Sequence, residues 1–214
     1  MLKKSAVGAA LLITAILPHT AFALNAEATA DASSDQAYAT EFGQARPPVG
    51  FVRFCAENPK ECRDRNGRAK RIAMDPDRWN LLYQVNTYVN GKISPVSDME
   101  LYGEAERWAY PVDAGDCEDY LLLKKRYLQG LGFSPEALLI TVVLDENQQG
   151  HAILTVVTDK GDYILDNRSN DITRWKDKKY TFLKRQSQTN PKRWVALVKE
   201  KTITSGTVGT SPAN

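Results

Sequence analysis

Cys117 lies in the run Gly115-Asp116-Cys117-Glu118-Asp119-Tyr120, a thiol set among acids at the head of a long, largely apolar segment. A thiol attacks carbonyl carbon as its thiolate, and the free N–H groups and dipole of a helix start favour that form. The same N–H groups, that of Cys117 first, can donate to an oxyanion. Such a thiol needs a base. The chain has two histidines, His19 and His151, and His19 falls in a leader-like segment, so His151 is the base left to the mature chain. A third group on a neighbouring element must hold the far ring nitrogen. Asp166 and Asn167 both have the chemistry for that place. Together these residues could form an acyl-thioester and pass the acyl group to water or to an amine.

The elements that must carry these side chains can be read from periodicity and breakers. Apolar residues at three- and four-residue steps predict a helix over 77–90, capped by Asp75-Pro76 and stopped by Asn90-Gly91. A second helix runs over 116–128, with acids at its start, bases towards its end, and Gly130 and Gly132 beyond it. Its broad apolar face predicts a central, buried position. Residues 91–102 read as irregular. Strands follow at 137–144, 151–158 and 163–166, with later ones at 179–183 and 193–199. The turn Asp159-Lys160-Gly161-Asp162 reads as a hairpin whose acids are solvated. In that register Thr158 faces Tyr163, which sets His151 opposite position 170 and leaves Asp166 displaced along the ladder. The lysine-rich stretch 176–179 reads as a solvated turn, and Trp108 and Tyr110 as packing residues or groove lining. Helices first and an antiparallel meander after them predict an α+β fold.

Composition sets the compartment and the partner classes. Residues 1–23 combine Lys3 and Lys4, an apolar run over 6–17 and the small-residue pattern Ala21-Phe22-Ala23, the signature of a cleaved signal peptide. The whole chain has 28 basic and 26 acidic side chains; the leader holds two lysines and no acid, which leaves 26 of each. A neutral chain without a clustered basic surface excludes strong nucleic-acid binding. No second apolar run is long enough to insert in a membrane. Residues 24–47 and 201–214 read as flexible, leaving 48–200 as one domain. Cys55 and Cys62 flank the turn-forming Asn58-Pro59, and in an oxidising compartment they are expected to pair, leaving Cys117 as the single free thiol.

Gly115-Asp116-Cys117-Glu118-Asp119-Tyr120, then His151-Ala152, then Leu165-Asp166-Asn167, resembles the bacterial transglutaminase-like cysteine peptidases. The resemblance extends over about 48–198 and implies a papain/transglutaminase-like fold, with helices packed on an antiparallel sheet and the nucleophile at a helix N-terminus. It implies a Cys-His-Asp triad of Cys117, His151 and Asp166 in an exported, periplasmic cysteine endopeptidase. In the family's LapG-type branch, calcium binds through acids flanking the cysteine, which here are Asp116, Glu118 and Asp119. Three carboxylates in four residues repel one another, and a hard cation with oxygen ligands relieves that. Asp145, Glu146 or Asn147 could add ligands. That branch cuts a surface adhesin under an inner-membrane receptor that senses cyclic di-GMP, and its biofilm role would follow. The segment from Val49 to Cys62 is more similar to a short subgroup of the family. A transglutaminase-type acyl transferase and a non-catalytic periplasmic binding module are the competing functions.

Overall fold

A computed structural model describes residues 37–64 and 67–199. The expected signal peptide (1–23), the expected tail (201–214) and residues 24–36 of the expected flexible segment lie outside the described residues. Among the described residues, nine strands, four α-helices and two short 3-10 turns follow the order the sequence suggests: helices mainly first, sheet after. The strands are β1 (Gln44–Ala45), β2 (Ser94–Pro95), β3 (Ala114–Gly115), β4 (Leu138–Leu144), β5 (Gly150–Thr158), β6 (Gly161–Asp166), β7 (Ser169–Arg174), β8 (Thr181–Gln186) and β9 (Trp194–Ala196). The helices are α1 (Val49–Glu57), α2 (Pro76–Lys92), α3 (Asp98–Tyr102) and α4 (Cys117–Gly130).

Seven strands form one sheet in the order β1-β9-β8-β4-β5-β6-β7, with every neighbouring pair antiparallel. The central strands β4 and β5 read LLITVVL and GHAILTVVT and are buried almost throughout, as continuous β-branched and apolar runs require. Helix α4 packs on β5, and α2 packs on α4. Every residue from Cys117 to Lys124 is buried, so α4 is the core helix that its broad apolar run predicts. Among the described residues no helix is long and apolar enough to cross a membrane.

Several expectations shift. Helix α2 passes through Gly91 to Lys92, because the Ile93 N–H still bonds the Val89 carbonyl. The irregular stretch 91–102 contains α3, nucleated by a capping box between Ser97 and Glu100. Residues 37–47, part of the expected flexible segment 24–47, make specific contacts with the sheet. The Ala39 N–H donates to Asp162 Oδ2 at 3.0 Å, the Tyr38 hydroxyl to the Thr158 carbonyl, and β1 pairs with β9. Asp162 is therefore not a solvated turn residue: it is fully buried, with the Arg185 guanidinium at 2.7 Å. Cys55 and Cys62 form the expected disulfide. Trp108 and Tyr110 pack rather than line a groove: Trp108 lies edge-on to Phe51, and Tyr110 edge-on to Phe54.

The hairpin that bears on the site is tighter than the sequence count. Thr158 pairs with Gly161, so only Asp159 and Lys160 form the turn, and Leu154 faces Leu165. Extended by three residues, that register sets His151 against Arg168. Asp166 is then two positions away on the same face, a diagonal neighbour within reach of a long side chain. A register shift between Ile164 and Asp166 in the β6–β7 pair bends the strand end at this point.

Candidate active site

Two buried charged clusters meet at the start of α4. One is built on β5 and β6. His151 Nε2 lies 2.9 Å from Asp166 Oδ1, and both side chains are almost wholly buried. Asp166 also accepts the Arg168 N–H on Oδ1 at 3.2 Å, and the Lys178 ammonium and Tyr180 hydroxyl on Oδ2, each at 2.9 Å. Burial opposes ionisation of Asp166, but the bond and charge of His151, with Lys178 behind them, outweigh it and hold the carboxyl well below the usual range. An ionised Asp166 can only accept, so Nε2 of His151 is the donor in this bond. Asp166 takes this place and not Asn167, whose Oδ1 is buried without a partner. Lys178 departs from expectation: in the stretch read as a solvated turn, its side chain is only 14 % exposed because it folds back onto Asp166.

The other cluster surrounds Cys117. The sulfur donates to Glu118 Oε2 at 3.1 Å, while the Ala152 N–H, next to His151 on β5, points at the sulfur. Burial raises the thiol's pKa well above the ordinary value, and the charges of Glu118 and Asp116 add to it; the Ala152 N–H works the other way. The helix start alone predicted a favoured thiolate. Burial first, and the flanking carboxylates after it, reverse that.

Those carboxylates are themselves unsettled. Ligand atoms of Asp116, Cys117 and Glu118 lie within 4.8 Å of one another, and so do those of Asp98, Asp116 and Asp119. Asp116 is common to both groups. Both of its oxygens, Asp119 Oδ2 and Asp98 Oδ1 are buried without a hydrogen-bond partner. The other oxygens are anchored: Asp119 Oδ1 accepts the Ala109 N–H at 2.9 Å, and Asp98 Oδ2 accepts the Arg107 N–H. Burial is the main cause of raised pKa values here, carrying Asp98 to about 6 and Asp119 to about 8, with Asp116 raised and Glu118 raised well above its ordinary value. Gly115 is glycine for a reason at this spot: a Cβ would come within 2.5 Å of Asp119 Oδ2. Inward-facing oxygens without donors suit a hard cation, so the residues present fit calcium.

Of the three acids expected from their spacing, Asp116 stands with Glu118 in one group and with Asp119 in the other. Asp98 was not found in the sequence. It arrives through the parallel pairing of β2 with β3, which lays α3 beside the start of α4. Its one visible signal was its place inside the Ser97–Glu100 capping box. Asp145 stands apart from this cluster, since it accepts the Arg168 guanidinium at 2.8 Å and the N–H groups of Asn147 and Gln149.

Residues 41–202 match the family described as bacterial transglutaminase-like cysteine proteinase. No curated protein matches the chain by sequence. Among solved structures, Legionella pneumophila LapG is similar at 24% identity with a TM-score of 0.44, over 53% of this chain and 65% of that one. Its calcium-bound form aligns at 21% identity and TM-score 0.48, over 64% and 77% of the two chains. The EGTA-treated form gives 22% and 0.47, over 60% and 71%.

Proposed function

The chain belongs to the bacterial transglutaminase-like cysteine proteinases, and from that premise we propose that it is an exported cysteine endopeptidase acting through Cys117, His151 and Asp166. The observation that carries this reading is the buried His151–Asp166 bond at 2.9 Å, made by Nε2, on a strand whose next N–H points at the Cys117 sulfur. With Nε2 engaged, Nδ1 is the nitrogen that takes the thiol proton. The thiolate then adds to the scissile carbonyl, and the Cys117 backbone N–H at the head of α4 donates to the oxyanion. His151 returns the proton to the leaving amine, leaving an acyl-thioester. Water, deprotonated by His151, then releases the acid and the free thiol. Asp166 keeps the imidazole in the required tautomer and stabilises its cation.

Asp116, Glu118, Asp119 and Asp98 would hold calcium. When bound there, the ion supplies positive charge that offsets the carboxylates now raising the thiol's pKa. The leader-like residues 1–23 support export to the periplasm, and the substrate class is a protein of the periplasm or cell surface. The family resemblance of the sequence extends that reading to an adhesin as substrate and to an inner-membrane receptor as regulator.

The test is incubation of the mature protein with an unfolded protein substrate plus a small primary amine, with calcium or EGTA, for wild type and Cys117→Ser. Fragment masses show where the acyl group goes. Hydrolytic fragments in wild type with calcium, absent in Cys117→Ser, are expected. Amine-tagged products without cleavage would replace the endopeptidase by an acyl transferase. Neither product in any sample would leave a non-catalytic binding module.

A further inference from the structure

The segment between β7 and β8 has no part in the reading above, yet it reaches the site. It forms a 3-10 turn at Trp175–Asp177, then runs through Lys178 and Tyr180 into β8. From here Lys178 Nζ and the Tyr180 hydroxyl both donate to Oδ2 of Asp166, each at 2.9 Å. The Lys178 ammonium also sits over the Tyr180 ring, 5.2 Å from its centroid. The Tyr180 ring in turn stands edge-on to the His151 imidazole, with centroids 5.9 Å apart and planes at 82°. Tyr180 thus touches both members of the pair, one through its hydroxyl and the other through its ring.

We infer that Lys178 and Tyr180 are positioning residues that fix the rotation of the Asp166 carboxylate and the plane of the His151 ring. The physical case is one of counting constraints. A carboxylate held by one oxygen can swing about its Cα–Cβ and Cβ–Cγ bonds and carry the imidazole with it. Here Oδ1 takes His151 and the Arg168 N–H while Oδ2 takes two side-chain donors, so both oxygens are pinned from different elements. Lys178 adds charge to geometry, since a charge-assisted bond to a buried carboxylate is among the stronger ones. The imidazole cannot tilt towards Tyr180 without meeting its ring. Other charged groups close by are engaged otherwise or more distant: Arg168 bonds Asp145, and buried Lys124 on α4 meets Asp166 only through its charge.

This inference rests on the proposed Cys117–His151–Asp166 chemistry, and the experiment separates the two. The readouts are kcat and KM for cleavage, and the downfield N–H proton resonance of His151, assigned by its absence in His151→Ala. Wild type, Lys178→Met, Lys178→Arg and Tyr180→Phe are compared, each first checked for a native circular dichroism spectrum. Lys178→Met is expected to lose or broaden the resonance and to lower kcat about 100-fold, with KM little changed. Lys178→Arg, which keeps a cationic donor, restores both, and Tyr180→Phe shows a smaller loss of each. An unchanged resonance in Lys178→Met overturns the inference, whether or not the rate falls. If wild type cleaves no substrate while the resonance responds as described, the inference stands and the endopeptidase reading falls.

Discussion

Two sets of buried carboxylates flank one thiol, and they are in opposite states. Asp166 is wrapped by four donors and held well below the usual carboxylate range. Asp98, Asp116 and Asp119 have oxygens buried without donors, and these three and Glu118 are pushed upwards, Asp119 to about 8. Burial acts in the same direction on both, so partners decide the outcome. A carboxylate with a full set of donors orients something: here, an imidazole. Carboxylates that share an undonated space hold a proton or a cation. The thiol borders the acidic side, and burial, with the charges of Glu118 and Asp116 added to it, raises its pKa.

The comparison is broken most severely by removing the satisfied member. Asp166→Ala is expected to reduce kcat/KM by about a thousandfold or more, because His151 loses both its tautomer control and its counter-charge. A loss below tenfold in steady-state cleavage would mean that Asp166 does not orient the base. The unsatisfied side answers to a cation. Calcium at about 100 times its dissociation constant is expected to raise Tm by about 5–10 °C over the EGTA-treated protein. Asp116→Asn, which alters the residue common to both acidic groups, should abolish most of that rise in a thermal scan.

The pH dependence of stability sharpens the contrast. Asp98 and Asp119 bind protons more tightly folded than unfolded, where carboxylates titrate near about 4. Their contribution is therefore fully present at about pH 4 and is lost as pH rises through about 6 and 8. In EGTA, Tm should fall across that window, and Asp119→Asn should flatten the fall; a Tm that is flat from pH 5 to 8 would remove the protonated cluster from the account. Asp166 runs the other way: its stabilisation is present at neutral pH and lost only in acid. The smallest effect belongs to Lys124, a buried ammonium lowered to about 7 by desolvation. Its burial penalty is complete below about pH 7 and fades towards the unfolded lysine value of about 10.4. Lys124→Met should raise Tm by about 2–4 °C at pH 6 and less at pH 9, measured by differential scanning calorimetry.

Much of this was legible before the fold was known, for reasons that differ by residue. Cys117 and His151 stood out because, with Cys55 and Cys62 expected to pair and His19 set in a leader-like segment, one thiol and one imidazole were left. The α+β class followed from helix periodicity ahead of two continuous β-branched runs. Asp166 was read as the partner of His151 but in another register, because Asp159-Lys160-Gly161-Asp162 permits a two- or a four-residue turn, and only the shorter one makes Asp166 the diagonal neighbour of His151. Asp98 was invisible because its approach to Asp116 depends on a two-residue parallel pairing, β2 with β3, that leaves no periodic trace. Lys178 and Asp162 were read as solvated since charged residues in turns usually are. Each is buried by a distant partner, Asp166 and Arg185, that no local pattern announces.

The central claim is that His151 activates Cys117 for attack. Its most direct test is the rate of iodoacetamide labelling of the mature protein, followed by intact mass, for wild type and His151→Ala with calcium or EGTA. Rapid labelling at Cys117 in wild type with calcium, slowed in EGTA and slowed further in His151→Ala, is the predicted result. Equal, sluggish labelling in all four samples would contradict it and leave Cys117 an ordinary buried thiol.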